Sequence, residues 1–448
     1  MLLYILFFIF ILNIVVSYSF QRNILAPPIA INGGFVVATY MAILYSNEWD
    51  LDQMNYSTFK VLAVGCILFT IVSIIYTKAH TIPKRKVKNE NFREVFEMRR
   101  LCRLLLICAV LQTIVAYLKI HYYSIVFGNN LSLNELLFAS RLNFFDSDKI
   151  EVFPFWFRNV MQLFTAAALI WYYLFSRAIL SKGKNLKVKL LLLLNIILQM
   201  VSSLFDGARG GVMSSIVLFA VIFILKYFQY RGKMTLNLKY IIKFIVLAVI
   251  LGSLMKISSQ FVGRTSNNNN STDGDVSSLY YFAYYCGGEI KNLDIYMDHP
   301  KQSETFGEAT LSSLYSSIGK YIGVKSEVVD LPFNTYKGLP LGNVYTIFYN
   351  FYMDDRFIGV IIFTIIMAII SSATFVKTQQ VLKSRQTISE VMYAQMYFSL
   401  IMSFFANRFY NEVICVPFLK NLLYWYILSF LIIHYIKKPK PIWEKSLQ

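Results

Sequence analysis

Residues 357–376 read FIGVIIFTIIMAIISSATFV, a run in which no position is charged. At 1.5 Å per residue such a helix is about 30 Å long, the thickness of a bilayer's hydrocarbon core. A water-soluble helix would alternate a polar and an apolar face, and this run does not. Working outward, the same reading applies at 2–18, 28–46, 59–77, 102–124, 157–176, 188–205, 212–229, 240–258, 391–406 and 416–435. The expectation is an all-α polytopic membrane protein of about eleven spans. Composition agrees: 56% of the 448 residues are hydrophobic and only 15% charged, against about 25% charged in an average soluble domain. The first block has no basic lead and more hydrophobic spans follow it, so it is expected to be a retained helix.

Charge then reports orientation. Lys and Arg cluster at 78–103, 177–189, 226–243, 377–385 and from 437 onward, with Arg22 in the first connection. With eleven spans all of these fall on one side, which the bias of basic residues makes cytoplasmic. The N-terminus is expected outside and the C-terminus inside. The net charge of +18 is thereby explained without nucleic acid. Two large segments, about 125–156 and 259–356, fall outside. The chain divides into helices 1 to 8 over 1–258, a large extracytoplasmic loop over 259–356, and helices 9 to 11 with a cytoplasmic tail over 357–448. Within the loop, 277–297 and 308–322 mix apolar, aromatic and polar residues, as helices lying on or near the outer membrane surface do.

Several chemistries lack their motifs. There is no G-x-x-x-x-G-K-[ST], no H-E-x-x-H and no G-x-S-x-G, so nucleotide hydrolysis, zincin chemistry and the common serine hydrolase elbow have no support. Five cysteines show no C-x-x-C pair and read as packing residues. No cofactor and no metal is expected.

The external arginines, Arg141, Arg158, Arg209, Arg264, Arg356 and Arg408, are the most informative set. A guanidinium forks onto phosphate oxygens in a way lysine does not, so its repeated use at one face suggests a phosphorylated ligand. Headgroup contact or ion pairing with loop carboxylates is the plainer reading of each one alone. Arg209 lies in Asp206-Gly207-Ala208-Arg209-Gly210-Gly211, a short outer turn opening into the seventh span, where backbone N–H groups and glycines suit an anion. A tight turn that needs glycine reads equally well. Arg356 follows Asp354 and Asp355, which serve either as its ion-pair partners or as helix caps. For a general base the external candidates are His299, Glu289, Asp294 and Asp298, and His299 titrates nearest neutrality. Tyr and Phe crowd the outer loop, as an interfacial belt or as a platform for sugar rings.

The run from Gly342 to Val360, with Asn343-Val344-Tyr345-Thr346, Phe351-Tyr352-Met353-Asp354 and Ile358-Gly359, resembles the N-V-Y-T…F-Y-x-D…I-G signature of the Wzy-type oligosaccharide repeat unit polymerases of O-antigen and capsule. The large outer loop, the Gly-Ala-Arg-Gly turn and the number of spans are similar along nearly the whole chain. The resemblance implies a GT-C-like membrane glycosyltransferase of the bacterial inner membrane. It would join undecaprenyl-pyrophosphate-linked units on the outer leaflet by inverting, metal-independent transfer, with a chain-length regulator and a flippase as possible partners. It further implies Arg209, Arg264 and Arg356 on the pyrophosphate and His299 as base. Asn343 and Tyr345 would shape the sugar site, and Arg158, Glu289, Tyr349, Asp354 and Arg408 would contact substrate.

Two other functions compete. A flippase of lipid-linked oligosaccharides also needs arginines and an apolar path, but transporters usually carry repeated halves and midplane polar sites. An O-antigen ligase uses the same bond chemistry, and the 342–360 run favours the polymerase.

Overall fold

The computed structural model describes residues 1–80, 95–145, 150–181, 185–206, 210–231, 278–322, 331–380 and 386–438. Among them, nine helices are long and apolar enough to cross a membrane. The expected span at 240–258 lies outside the described residues. The expected span at 391–406 is a helix of only 14 residues, Ile388–Ile401, followed by a 3-10 turn at Met402–Phe404. All five cysteines are free.

Two compact units divide the chain, each assembled from separated stretches. The first contains α1 (Leu2–Gln21), α2 (Pro27–Leu44) and α3 (Tyr56–His80). Buried Leu3, Leu6, Phe10, Asn13 and Ser17 repeat every three or four residues along α1, while Tyr4, Phe8, Leu12 and Val15 are exposed. That is the pattern of a helix with one side on protein and the other on lipid. Apolar surface gives no net attraction between helices in lipid, so polar groups and small residues do the joining. The Asn13 amide donates to Asn32 Oδ1 at 3.0 Å, and the Asn32 amide donates to Thr70 at 3.1 Å. These residues weaken α2 as an apolar run and bind it to both neighbours.

The second unit contains α4 (Met98–Phe127), α5 (Leu133–Phe145), α6 (Phe155–Leu180), α7 (Leu186–Leu204) and α8 (Gly210–Arg231). Lys119, buried in α4, donates to the Ser202 carbonyl at 2.9 Å and pairs with Asp206. Lys226 of α8 is buried against Glu390 at 2.8 Å.

Returning to the first unit, α9 (Ser278–Cys286) and α10 (Gly288–Asp298) pack on α2. The sequence suggested helices on or near the outer membrane surface here, and protein burial does not test that placement; it does show that they are not bare. Every residue from Gly288 to Asp294 is buried, Glu289, Lys291, Asn292 and Asp294 included. Internal partners make this possible for all but Glu289. Asp294 accepts from the Asn55 N–H at 2.8 Å, Thr58 Oγ1 at 2.9 Å and Lys291 at 3.3 Å. Next come α11 (Ser312–Ile322) and a hairpin of β1 (Asn334–Tyr336) and β2 (Leu339–Gly342), turning at Lys337-Gly338.

The decisive element is α12 (Ile347–Gln380). It leaves helical geometry at Asp355 (φ −153, ψ 50) and Arg356 (φ 47, ψ −134). A straight helix separates residues eight apart by about 12 Å, yet a Cβ on Gly359 would overlap the Phe351 carbonyl oxygen. The rings of Phe351 and Phe363 lie 5.5 Å apart. The arm 347–354 therefore folds back along the arm 357–380. Phe348 in the first arm packs on Gly65, nine residues into α3, and on Phe35 in the middle of α2. The chain thus enters the bundle about 14 Å from the Tyr56 end of α3, rises to residue 355, and descends as the span. The remaining helices are α13 (Ile388–Ile401) and α14 (Val416–Ile436). A Cβ on Gly34 would overlap the carbonyl of Ile401, so α13 ends level with the middle of α2.

Candidate functional site

Three irregular segments of the first unit meet around the reversal of α12: the loop 300–311, the residues on either side of the first arm, and 402–413. Irregular backbone at the level of apolar helices must find partners within the protein. Side chains of the first arm and of 402–413 supply them. Asp354 accepts the N–H groups of Ala309 at 2.8 Å and Thr310 at 2.9 Å. Asn350 donates to the Ala309 carbonyl at 3.0 Å and Asn407 to that of Thr310 at 2.8 Å. The Ser303 N–H donates to the Met353 carbonyl at 2.9 Å, and the Tyr410 hydroxyl to that of Phe363 at 2.6 Å.

Arg356 stands at the reversal. Its φ of 47° is a left-handed value that an L side chain adopts at a cost of about 1–3 kcal/mol. Nη2 donates to the Pro300 carbonyl at 2.9 Å, the guanidinium lies 5.6 Å from the Tyr352 ring centre, and Nη1 is buried with no partner. Neither Asp354 nor Asp355 pairs with it. Asp354, allowed by the sequence as ion-pair partner or cap of the following span, instead caps Ala309 and Thr310.

Elsewhere the candidates separate. Arg408 pairs with Glu412 at 2.5 Å. Arg158 belongs to the second unit and forks onto Glu151 at 3.0 and 3.2 Å. Arg209 and Arg264 lie outside the described residues. His299 ends α10, exposed, one residue before the Pro300 that receives Arg356. Asn343 lies in the turn after β2. Tyr345 accepts from Asn334 at 3.0 Å and donates to the Pro332 carbonyl at 3.1 Å. The Tyr345 and Tyr349 rings, 4.4 Å apart, and that of Tyr296, 4.5 Å from Tyr349, pack on one another. Tyr345 and Tyr349 are buried and turn little surface outward.

Glu289 is fully buried, and neither carboxylate oxygen has a partner. Burial pushes its pKa well above the ordinary 4.5. It lies one turn from Asn292, whose amide donates to the carbonyls of Leu341, Gly342 and Val344 at 3.3, 3.3 and 2.8 Å. Asn292, Asn350, Thr310 and Asn407 hold the site together, and none stood out in the sequence; only the position of Asn407 at the break between two apolar runs was a signal. Thr346 Oγ1 and Asn407 Oδ1 are also buried without partners. Such groups mark places for water or ligand atoms. Among the described residues, no three His, Cys, Asp or Glu side chains converge as a metal ion requires.

Fold and site together define a multi-pass α-helical membrane protein with a polar, irregular core in one of its two units. No family model, no curated protein and no solved structure matches the chain.

Proposed function

We propose that the protein is a polysaccharide polymerase of the outer leaflet of a bacterial cytoplasmic membrane. It would span the membrane eleven times in a GT-C-like arrangement, with its N-terminus outside. Its substrates would be undecaprenyl-pyrophosphate-linked oligosaccharides. A hydroxyl of the incoming unit attacks the anomeric carbon of the growing chain, the new C–O bond forms with inversion, and the electron pair of the broken bond leaves on the pyrophosphate oxygen. The observation that carries this reading is Arg356: a guanidinium with an uncommitted buried nitrogen, held at a strained reversal among apolar helices. Strain retained in a non-glycine residue points from geometry to function, and a cation there suits the charge that develops on a departing diphosphate. His299, next in the chain to the Pro300 whose carbonyl receives Arg356, is the proposed acceptor of the hydroxyl proton.

The test exploits the backbone. Arg356→Gly relieves the positive φ and removes the guanidinium, whereas Arg356→Ala keeps the strain. The glycine variant is expected to fold at least as well as wild type by thermal melting and to make polymer at least ~100-fold more slowly, leaving single repeat units on the lipid carrier. Normal ladders from a well-folded Arg356→Gly protein would remove the assignment. Irregular polar segments between apolar helices also suit a transporter. A deletion separates the two: single repeat units displayed outside favour the polymerase, unflipped precursor inside favours the flippase.

A further inference from the structure

Between α13 and α14 the chain makes one wide turn, Phe409–Val413, closed by the Ile414 N–H on the Phe409 carbonyl at 3.4 Å. Arg408 enters it and Glu412 leaves it. Their ion pair is half-buried, with 21% of the arginine and 34% of the glutamate side chain exposed. The pair is incompletely satisfied. Arg408 Nε is buried with no partner, and the second oxygen of Glu412 receives only a long 3.4 Å contact from Gln395. Alongside, Asn407 Oδ1 is also buried and unpartnered. Burial raises the pKa of Glu412, and Arg408 pulls against that rise.

A carboxylate and a phosphoryl group occupy the same fork of a guanidinium. We propose that Glu412 is a resident stand-in for the ligand's anion: a phosphoryl oxygen takes its place on Arg408, and the displaced Glu412 takes up one proton from solvent. Apart from the O–H bond that this proton makes, no covalent bond changes. The inference rests on the reading of a diphosphate-bearing lipid substrate. It adds that binding is linked to a proton and that the site holds an internal anion while it waits. Among the described residues, the charged and titratable groups facing Glu412 are Arg408 from its own turn and the Cys415 thiol just after it. α13 presents Gln395, and α11 presents Ser312 to the neighbouring Asn411.

The full-length protein in nanodiscs is titrated with inorganic pyrophosphate and, separately, with a polyprenyl diphosphate, between pH 6 and 8. Glu412→Gln is expected to bind about tenfold more tightly than wild type at pH 8. The ratio of the two affinities, from which the ligand's own titration cancels, falls as the pH is lowered, as linkage to a single proton requires. Glu412→Asp keeps the charge and stays pH-linked, and Arg408→Gln loses the tight binding. Tightening with both probes identifies the diphosphate itself as the recognised group; tightening with the polyprenyl form alone adds the lipid. The proposal is overturned if Glu412→Gln, folded by thermal melting, binds both probes no better than wild type, or if the ratio ignores pH. If that happens while Arg356→Gly still abolishes polymer, the stand-in is wrong and the polymerase reading survives. If Glu412→Gln tightens binding while a deletion leaves unflipped precursor inside, the stand-in holds and the polymerase reading falls.

Discussion

At Glu289 a carboxyl group sits where nothing solvates it, one turn from an asparagine whose amide donates to three carbonyls. Its folded-state pKa is raised, so on raising the pH the unfolded chain ionises first. The stability associated with this group is intact below the ordinary value of 4.5 and is lost as pH rises through the folded value. Glu289→Gln, a near-isostere that never ionises, is expected to leave melting unchanged near pH 4.5 and to raise it progressively toward pH 8. A glutamine variant that melts lower at pH 8 would show that the carboxylate has a charged partner. Individual residues were unevenly legible beforehand. Arg356 stood out by its type and place, whereas Asn292 and Asn407 matter through the carbonyls they reach, and those carbonyls are distant in the chain.

The element whose meaning changes most is α12. As sequence, 357–376 is a span and 342–356 its polar approach. The fold makes the approach a second helical arm pressed against the span. The Gly359 that belongs to the 342–360 run then has a packing role, because its missing side chain is where the Phe351 carbonyl lies. Gly359→Ala is expected to force the arms apart and to cost several kcal/mol, of the order seen for overpacked cores, read as a collapse in folded yield. Gly33→Ala is the matched control: nothing lies within 4 Å of its added methyl, and alanine's better helix propensity predicts a gain of up to about 1 kcal/mol. Equal behaviour of the two variants would mean that the arms do not touch. No local preference announces this reversal, since arginine gives no warning of a positive φ.

For the molecule as a whole, the proposed topology makes a simple statement about access. In a variant freed of its five native cysteines, a cysteine replacing the exposed Lys337, on the hairpin turn, is expected to react with a membrane-impermeant thiol reagent from outside intact cells. A cysteine replacing Lys78 at the end of α3 is expected to react only after the membrane is opened. The reverse labelling would invert the topology and remove the extracytoplasmic site.

The apolar runs and their length follow from the sequence alone, because a bilayer tests each segment separately: a helix long and apolar enough to cross does so whatever its neighbours are. Tertiary structure alone decided that α10 is buried, that α12 doubles back, and that loop 300–311 and the 402–413 turn meet at the Thr310 backbone that Asp354 caps. Those outcomes depend on where backbone carbonyls and N–H groups far apart in the chain find one another, and no periodicity along the chain records such meetings.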